Sequence, residues 1–343
     1  MKNLLFFTSP IGLGHASRDI AITSKLDANI MFVSGEGASK MISDYGFKIK
    51  DLYRHDGFEV DDHGELKHAL QWVINYWSYY KRCKAIAENV INESKPDLIV
   101  SDEDFASISV AQELGIPNVI ITDILQTNFT KGSLSFIERK MNKVMKQMID
   151  NSNLTIIPSN GEDHGNIKYV GPIVRDVESD RETLRKRFGF NKKTILVSAG
   201  GTDSGRFLIN KTVETYNKLK NAIDAEMIVV SGPSLKINAR HEGVRYVGYA
   251  KSLHEMIYAC DLLVSLAGRS TIDEALAYGT PAIFIPIKKH FEQEKNAEQC
   301  GFRFEDIFKL DELILKKLNV DRGTMIIRNG AEKASSLISN LMT

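Results

Sequence analysis

Short apolar runs closed by glycine, proline or serine alternate along this chain with stretches of helical periodicity. In the first half the runs are NLLFFTS, NIMFVSG, PDLIVSD, NVIITD and LTIIPS; in the second they are KTILVSAGG, EMIVVSGP, VRYVGY, DLLVSLAG and PAIFIP. Their hydrophobicity is continuous, which predicts strands covered on both faces, as in parallel sheets flanked by helices. The pattern runs through twice, so it predicts two doubly wound α/β domains. The boundary falls near KYVGPIVRDVESDRETLRKRFGF, where strands stop, proline and charge enter, and an amphipathic helix precedes the next strand. This divides the chain into 1–168, 169–322 and a C-terminal helix at 323–343 expected to pack back on the first domain. In open α/β sheets ligands bind at the carboxyl ends of strands, so two facing domains predict a cleft lined by loops from both.

Length agrees with two domains, since 343 residues exceed one ordinary core. Lysine plus arginine and aspartate plus glutamate balance at 44 each, which argues against a polyanion-binding surface and removes nucleic acid as the default partner. Cys83, Cys260 and Cys300 are odd in number and lack CxxC spacing, so neither a disulfide framework nor a zinc site is expected and a reducing cytosol fits. The opening apolar run meets Gly12 too early for a signal segment and reads as a buried first strand.

Chemistry is therefore sought in the turns that follow strands. SPIGLGHASRDIAI places Gly12, Gly14 and His15 between a strand and a helix, with serine where a dinucleotide fingerprint has its third glycine. Two readings stand: a tight turn in which His15 caps the helix, and a mounting that presents His15 as a general base. In SAGGTDSGRFLIN, Gly200 and Gly201 let backbone approach an anion, while Thr202 and the amides before Arg206 point toward it; the plainer reading makes Thr202 or Asp203 an N-cap. In AGRSTIDEALAYG, Ser270 with Asp273 and Thr271 with Glu274 have capping-box spacing; alternatively the helix start binds phosphate and Glu274 accepts both hydroxyls of a ribose. Glu292 and Gln293 follow a strand and suit a hydroxyl-rich ligand, or simply open a solvated helix.

Taken together, the GLGH turn, the VSAGGTDSGRFLIN loop and the run from DLLVSLAGRSTIDEALAYG through PAIFIP to EQEKNA resemble the inverting GT-B glycosyltransferases that use UDP-sugars. That family includes the peptidoglycan lipid-linked N-acetylglucosaminyltransferase and the plant and animal UDP-glycosyltransferases. The resemblance implies a GT-B fold of two Rossmann-like domains and transfer of a hexose or N-acetylhexosamine to a hydroxyl acceptor with inversion. By it, Gly14, Gly200, Gly201, Thr202 and Arg206 belong to the donor-binding set. Gly268, Arg269, Ser270 and Thr271 lie on the diphosphate, Glu274 on the ribose, Glu292 and Gln293 on the transferred sugar, and backbone near Tyr249 on the uracil. His15 becomes the base and Asp102 the carboxylate that orients it. The UDP-sugar is a co-substrate, and neither a cofactor nor a metal is implied. The chain departs from the plant pattern in having no tryptophan to stack on uracil.

Two rivals share the fold: a nucleotide-sugar hydrolase of the pseudaminic acid type, which delivers water, and a non-catalytic nucleotide-sugar-binding subunit. An acceptor region is expected between Gly57 and Asn151. There Trp72, Tyr76, Tyr79 and Tyr80 recur at helical spacing beside Trp77, a pattern that core packing explains in part. SFIERKMNKVMKQMI sets Ile137, Met141, Val144, Met145 and Met148 on one helical face with Arg139, Lys140, Lys143 and Lys146 beside it. It reads as a core-covering helix, or as a basic apolar edge at 136–149 that docks on anionic lipid to collect a lipid-linked acceptor. The second alternative places a cytoplasmic protein peripherally on the inner face of the plasma membrane.

Overall fold

In the computed structural model, which describes residues 2–55, 59–128, 135–201, 203–235, 237, 240–325 and 329–342, each of the ten apolar runs contains a β-strand. The first unit holds β1 (Asn3–Thr8), β2 (Asn29–Ser34), β3 (Lys48–Asp51), β4 (Leu98–Asp102), β5 (Asn118–Ile121), β6 (Leu154–Ile157) and β7 (Ile167–Tyr169). They form one parallel sheet in the order β3-β2-β1-β4-β5-β6-β7. The helices between them are α1 (Gly14–Thr23), α2 (Glu36–Asp44), α3 (Ala69–Ser94), α4 (Phe105–Glu113) and α5 (Ser135–Asn151). The central strands are buried along their length: Leu4, Leu5, Phe6 and Phe7 of β1 and Leu98, Ile99 and Val100 of β4 are at most 2% exposed. Each such side chain contributes about 1.5–3 kcal/mol.

The second unit is a five-stranded parallel sheet of β8 (Lys193–Ser198), β9 (Ala225–Val230), β10 (Val244–Val247), β11 (Leu262–Leu266) and β12 (Ala282–Ile285), ordered β10-β9-β8-β11-β12. Its helices are α6 (Arg181–Phe188), α7 (Arg206–Leu219), α8 (Leu253–Ala259), α9 (Arg269–Ala277), α10 (Phe291–Gln299) and α11 (Leu310–Lys317). The last helix, α12 (Gly330–Asn340), belongs to the first unit and packs on α1.

The units divide between Val174 and Arg175, beyond the boundary drawn from the sequence. Residues 59–67, expected in the acceptor region of the first domain, pack with the second unit instead: Leu66 N donates to Lys288 O at 2.9 Å, Lys288 N to Gly64 O at 2.8 Å, and Lys289 Nζ meets Glu65 at 2.6 Å.

Candidate functional site

In the first unit the chain leaves β1 over the end of β4. Thr8 pairs in register with Asp102, and Ser9 N donates to the Asp102 carbonyl at 3.0 Å. Gly12 takes φ +80, in the left-handed region that glycine enters without strain, and turns the chain into α1. Leu13 is the N-cap and no side chain caps the helix, so the reading of His15 as a cap is corrected. His15, on the first turn, instead faces Asp102, with Nδ1 2.8 Å from Oδ1.

Asp102 is fully buried and carries more than the histidine. Arg18, one turn along α1 on the same face and 3% exposed, donates Nε to Asp102 Oδ2 at 2.5 Å and Nη2 to Oδ1 at 2.6 Å. Its Nη1 pairs with Asp123 at 2.7 Å. Glu103 sits next to Asp102 with φ +54, a left-handed conformation that costs a non-glycine residue about 1–2 kcal/mol. Its Oε1 is anchored by Thr122 Oγ1 at 3.2 Å and Asp123 N at 3.0 Å, and Oε2 lies 3.7 Å from His15 Nε2. Asp19 accepts from Thr8 Oγ1 at 2.6 Å.

Burial alone would lower the His15 pKa, but Asp102 and then Glu103 outweigh burial and the opposing Arg18, and raise it to about 9. Burial alone would raise Asp102; Arg18 first and His15 next hold it down to about 2. Asp19 is pushed well above the carboxylate range, by burial and then by Asp102. The structure brings together His15 and Asp102, both singled out from the sequence, and packs Arg18, Glu103 and Asp123 around them, which the sequence reading does not single out. The available signals were the three-residue spacing of Arg18 from His15 and the acidic run SDED closing a buried strand.

In the second unit the expected donor residues lie in turns at the carboxyl ends of its parallel strands. Gly200 and Gly201 follow β8; Gly200 has φ +80, and a Cβ on neighbouring Gly232, itself at φ +80, would strike the Gly200 carbonyl oxygen. Thr202 lies outside the described residues. Gly205, not Asp203, is the N-cap of α7, with no side-chain cap, and Arg206 opens the helix exposed. Tyr249 follows β10 and is half-buried. Beyond β11, Gly268 is the N-cap of α9 and again no side chain caps the helix, which corrects the capping-box reading. Ser270 and Thr271 lie in the first turn, Asp273 pairs with Arg269 at 2.9 Å, and Glu274, 3% exposed, receives Arg175 Nε at 2.9 Å and Nη2 at 3.3 Å. After β12, His290 caps α10, Gln293 Oε1 accepts from Ile287 N at 3.1 Å, and Glu292 is half-buried. Asn296 Nδ2 donates to Ala267 O at 3.3 Å, tying α10 to the turn that opens α9. Among the described residues no group of three or more His, Cys, Asp or Glu is placed to hold a metal ion.

On α5, Met145, Met148 and Ile149 pack into a core cluster with Ile108, Ile120, Ile157 and Ile167. Phe136 and Val144 are 56% and 42% exposed beside exposed Arg139, Lys140 and Lys143, while Lys146 pairs with Asp150 at 2.6 Å. The side chain of Ile137 lies outside the described residues. On α3, Tyr79 is core and Trp77 is 55% exposed. No helix among the described residues is long and apolar enough to cross a membrane.

Comparison with known proteins places this architecture. The glycosyltransferase family 28 C-terminal domain matches residues 194–314, which span four of the five strands of the second unit in full and most of β8. An uncharacterized glycosyltransferase of Methanopyrus kandleri is 27% identical over 226 residues, 61% of this chain and 62% of that protein. The UDP-N-acetylglucosamine–N-acetylmuramyl-(pentapeptide) pyrophosphoryl-undecaprenol N-acetylglucosamine transferase of Carboxydothermus hydrogenoformans is 27% identical over 248 residues, 64% of this chain and 63% of that enzyme. The matches thus span less than two thirds of either relative. The crystal structure of the glycotransferase of kitacinnamycin superposes over 99% of both chains with a TM-score of 0.68 at 13% identity, a likeness of fold. The fold is that of the GT-B glycosyltransferases, and residues 194–314 of the second unit match the glycosyltransferase family 28 C-terminal domain.

Proposed function

We propose that this protein moves a hexose or N-acetylhexosamine from a UDP-sugar to a hydroxyl acceptor with inversion, and that His15 is the general base. The observation that carries the reading is the His15–Asp102 pair at the carboxyl end of the first sheet. With Nδ1 held by Asp102, Nε2, 3.7 Å from Glu103 Oε2, is the nitrogen assigned to the acceptor. In the proposed step the acceptor O–H proton passes to Nε2, its oxygen forms a bond to the anomeric carbon, and the bond from that carbon to the diphosphate breaks, its electron pair leaving with UDP. With a pKa near 9 the resting ring is an imidazolium, and about 1% is in the accepting form at pH 7. Turnover therefore draws on a minor protonation state that rises with pH.

For the donor, the proposal assigns the amides of the α9 N-terminus, Arg269 and the Gly200–Gly201 turn to the diphosphate; they supply positive potential where charge develops on the leaving group. Glu274, oriented by Arg175, is assigned to the two ribose hydroxyls, for which a carboxylate is an acceptor on both oxygens. Glu292 and Gln293 are assigned to the sugar, and no cation is required. The hexosaminyl acceptor named for the Carboxydothermus enzyme is lipid-linked, and the exposed Phe136, Lys140, Lys143 and Val144 stripe of α5 supports an acceptor collected from an anionic membrane surface.

The test is product analysis with a panel of UDP-sugars and native lipid extract, with and without EDTA. Acceptor-dependent UDP release that falls about 10²–10⁴-fold in His15→Ala, with UDP affinity unchanged, is expected. Full turnover in that variant overturns the base assignment. Free sugar released at one rate with and without acceptor would assign water as the nucleophile.

A further inference from the structure

The base does not own its aspartate. Arg18 holds Asp102 through two parallel bonds, from Nε to Oδ2 and from Nη2 to Oδ1, a fork that fixes the plane of the carboxylate. The same Nη2 lies 3.1 Å from His15 Nδ1. A guanidinium has donors only, and Nδ1 directs its own hydrogen at Asp102 Oδ1, so this last approach is donor against donor. It is repulsive in proportion to the positive charge on the ring. Arg18 therefore does two things at once: it aims the carboxylate that aims the histidine, and it opposes the imidazolium.

The charges around the ring show why opposition matters. From the end of β4 come Asp102 and Glu103; from α1 comes Arg18; from the turn after β5 comes Asp123, on the far side of Arg18. Asp19 of α1 faces Asp102. Carboxylates outnumber the one guanidinium, so the ring rests as an imidazolium in the neutral range even with Arg18 in place, and without that opposing charge its accepting form would be scarcer still. We propose that Arg18 is the positioning residue that keeps His15 usable as a base, by holding Asp102 in one plane and by setting its positive charge against the imidazolium. The proposal rests on the reading of His15 as the base, and its test reads a quantity that turnover does not enter.

The test is the NMR titration of the His15 imidazole in the full chain labelled with ¹⁵N-histidine, the signal being assigned by its loss in His15→Ala. In Arg18→Met the titration midpoint is expected to rise by about one unit or more, a tenfold gain in proton affinity. In Arg18→Lys, which keeps the charge and loses the fork, the midpoint stays near that of the wild type. The rising limb of kcat against pH moves with the midpoint in each variant. A midpoint unmoved or lowered in folded Arg18→Met overturns the proposal, leaving Arg18 a strut. If Arg18→Met does not fold, Asp102→Asn is compared with Asp102→Asn/Arg18→Met, which removes both charges of the pair and strands neither. A higher midpoint in the double variant supports the proposal, and equal midpoints overturn it.

Discussion

Arg175 and Glu274 form a two-bond pair inside the second unit, Nε to Oε1 at 2.9 Å and Nη2 to Oε2 at 3.3 Å, with both side chains at most 6% exposed. The partners stand 99 residues apart, and Tyr278 Oη closes the arrangement by donating to the Arg175 carbonyl at 2.7 Å. Glu274 is thus a structural anion as well as the proposed ribose ligand.

That double role decides which substitution tests the ribose. Glu274→Ala strands a buried guanidinium, and breaking a buried pair in this way costs about 3–5 kcal/mol of stability. Lost UDP binding in that variant would then report on folding. Glu274→Gln keeps the volume and one acceptor oxygen. It is expected to weaken UDP by about 2 kcal/mol, since hydrogen bonds to a charged acceptor become neutral ones, while the urea midpoint falls less than in the alanine variant. UDP affinity unchanged in a folded glutamine variant, measured by calorimetry, removes Glu274 from the ribose.

Legibility in the sequence followed burial. The ten strands found from apolar runs include every interior strand of both sheets. The two that were missed, KIKD of β3 and IKY of β7, are the edge strands of the larger sheet. An edge strand is covered less, so its apolar run is short and mixed with lysine. His15 was legible because glycines mark its turn. Arg18 was not, because a buried arginine paired across 84 residues looks in sequence like a solvated helix position. The capping-box spacing at Ser270–Glu274 misled for the same reason: Asp273 answers to Arg269 and Glu274 to distant Arg175. The capping spacing does not show which cation a carboxylate meets in the fold.

Stability and turnover should move in opposite directions with pH. The folded-state pKa of His15 is raised to about 9 from 6.5, so its bound proton stabilises the fold fully below pH 6.5 and that contribution is lost as pH rises through 9. A shift of this size corresponds to about 3 kcal/mol. Turnover should climb across the same window, about tenfold per pH unit below the pKa, as the accepting form of the ring is populated. Urea midpoints and kcat from pH 6 to 10 check both limbs. In His15→Gln the stability loss over this window should vanish. A kcat profile flat from pH 6.5 to 9 would mean that deprotonation of His15 does not limit the reaction.

The α5 helix separates its two roles by face. Met145, Met148 and Ile149 are committed to the core, so the whole helix cannot serve as a membrane anchor. Lys146 is partly answered by Asp150 at 2.6 Å, which leaves Lys140 and Lys143 between Phe136 and Val144 as the better probes. A basic side chain near an anionic surface is worth about 1 kcal/mol, so reversing two of them removes two attractions and adds two repulsions, about 4 kcal/mol or a thousandfold in partitioning. Lys140→Glu/Lys143→Glu should therefore abolish sedimentation with phosphatidylglycerol-containing vesicles at low salt while UDP affinity and the urea midpoint stay as in the wild type. The core side chains are untouched, so loss of fold is not expected to confuse the result. Raising salt should release the wild type as well, because the attraction is screened within about 10 Å at 0.1 M ionic strength. Wild-type protein that stays in the supernatant at low salt would make α5 a cover for the core and the acceptor one that comes from solution.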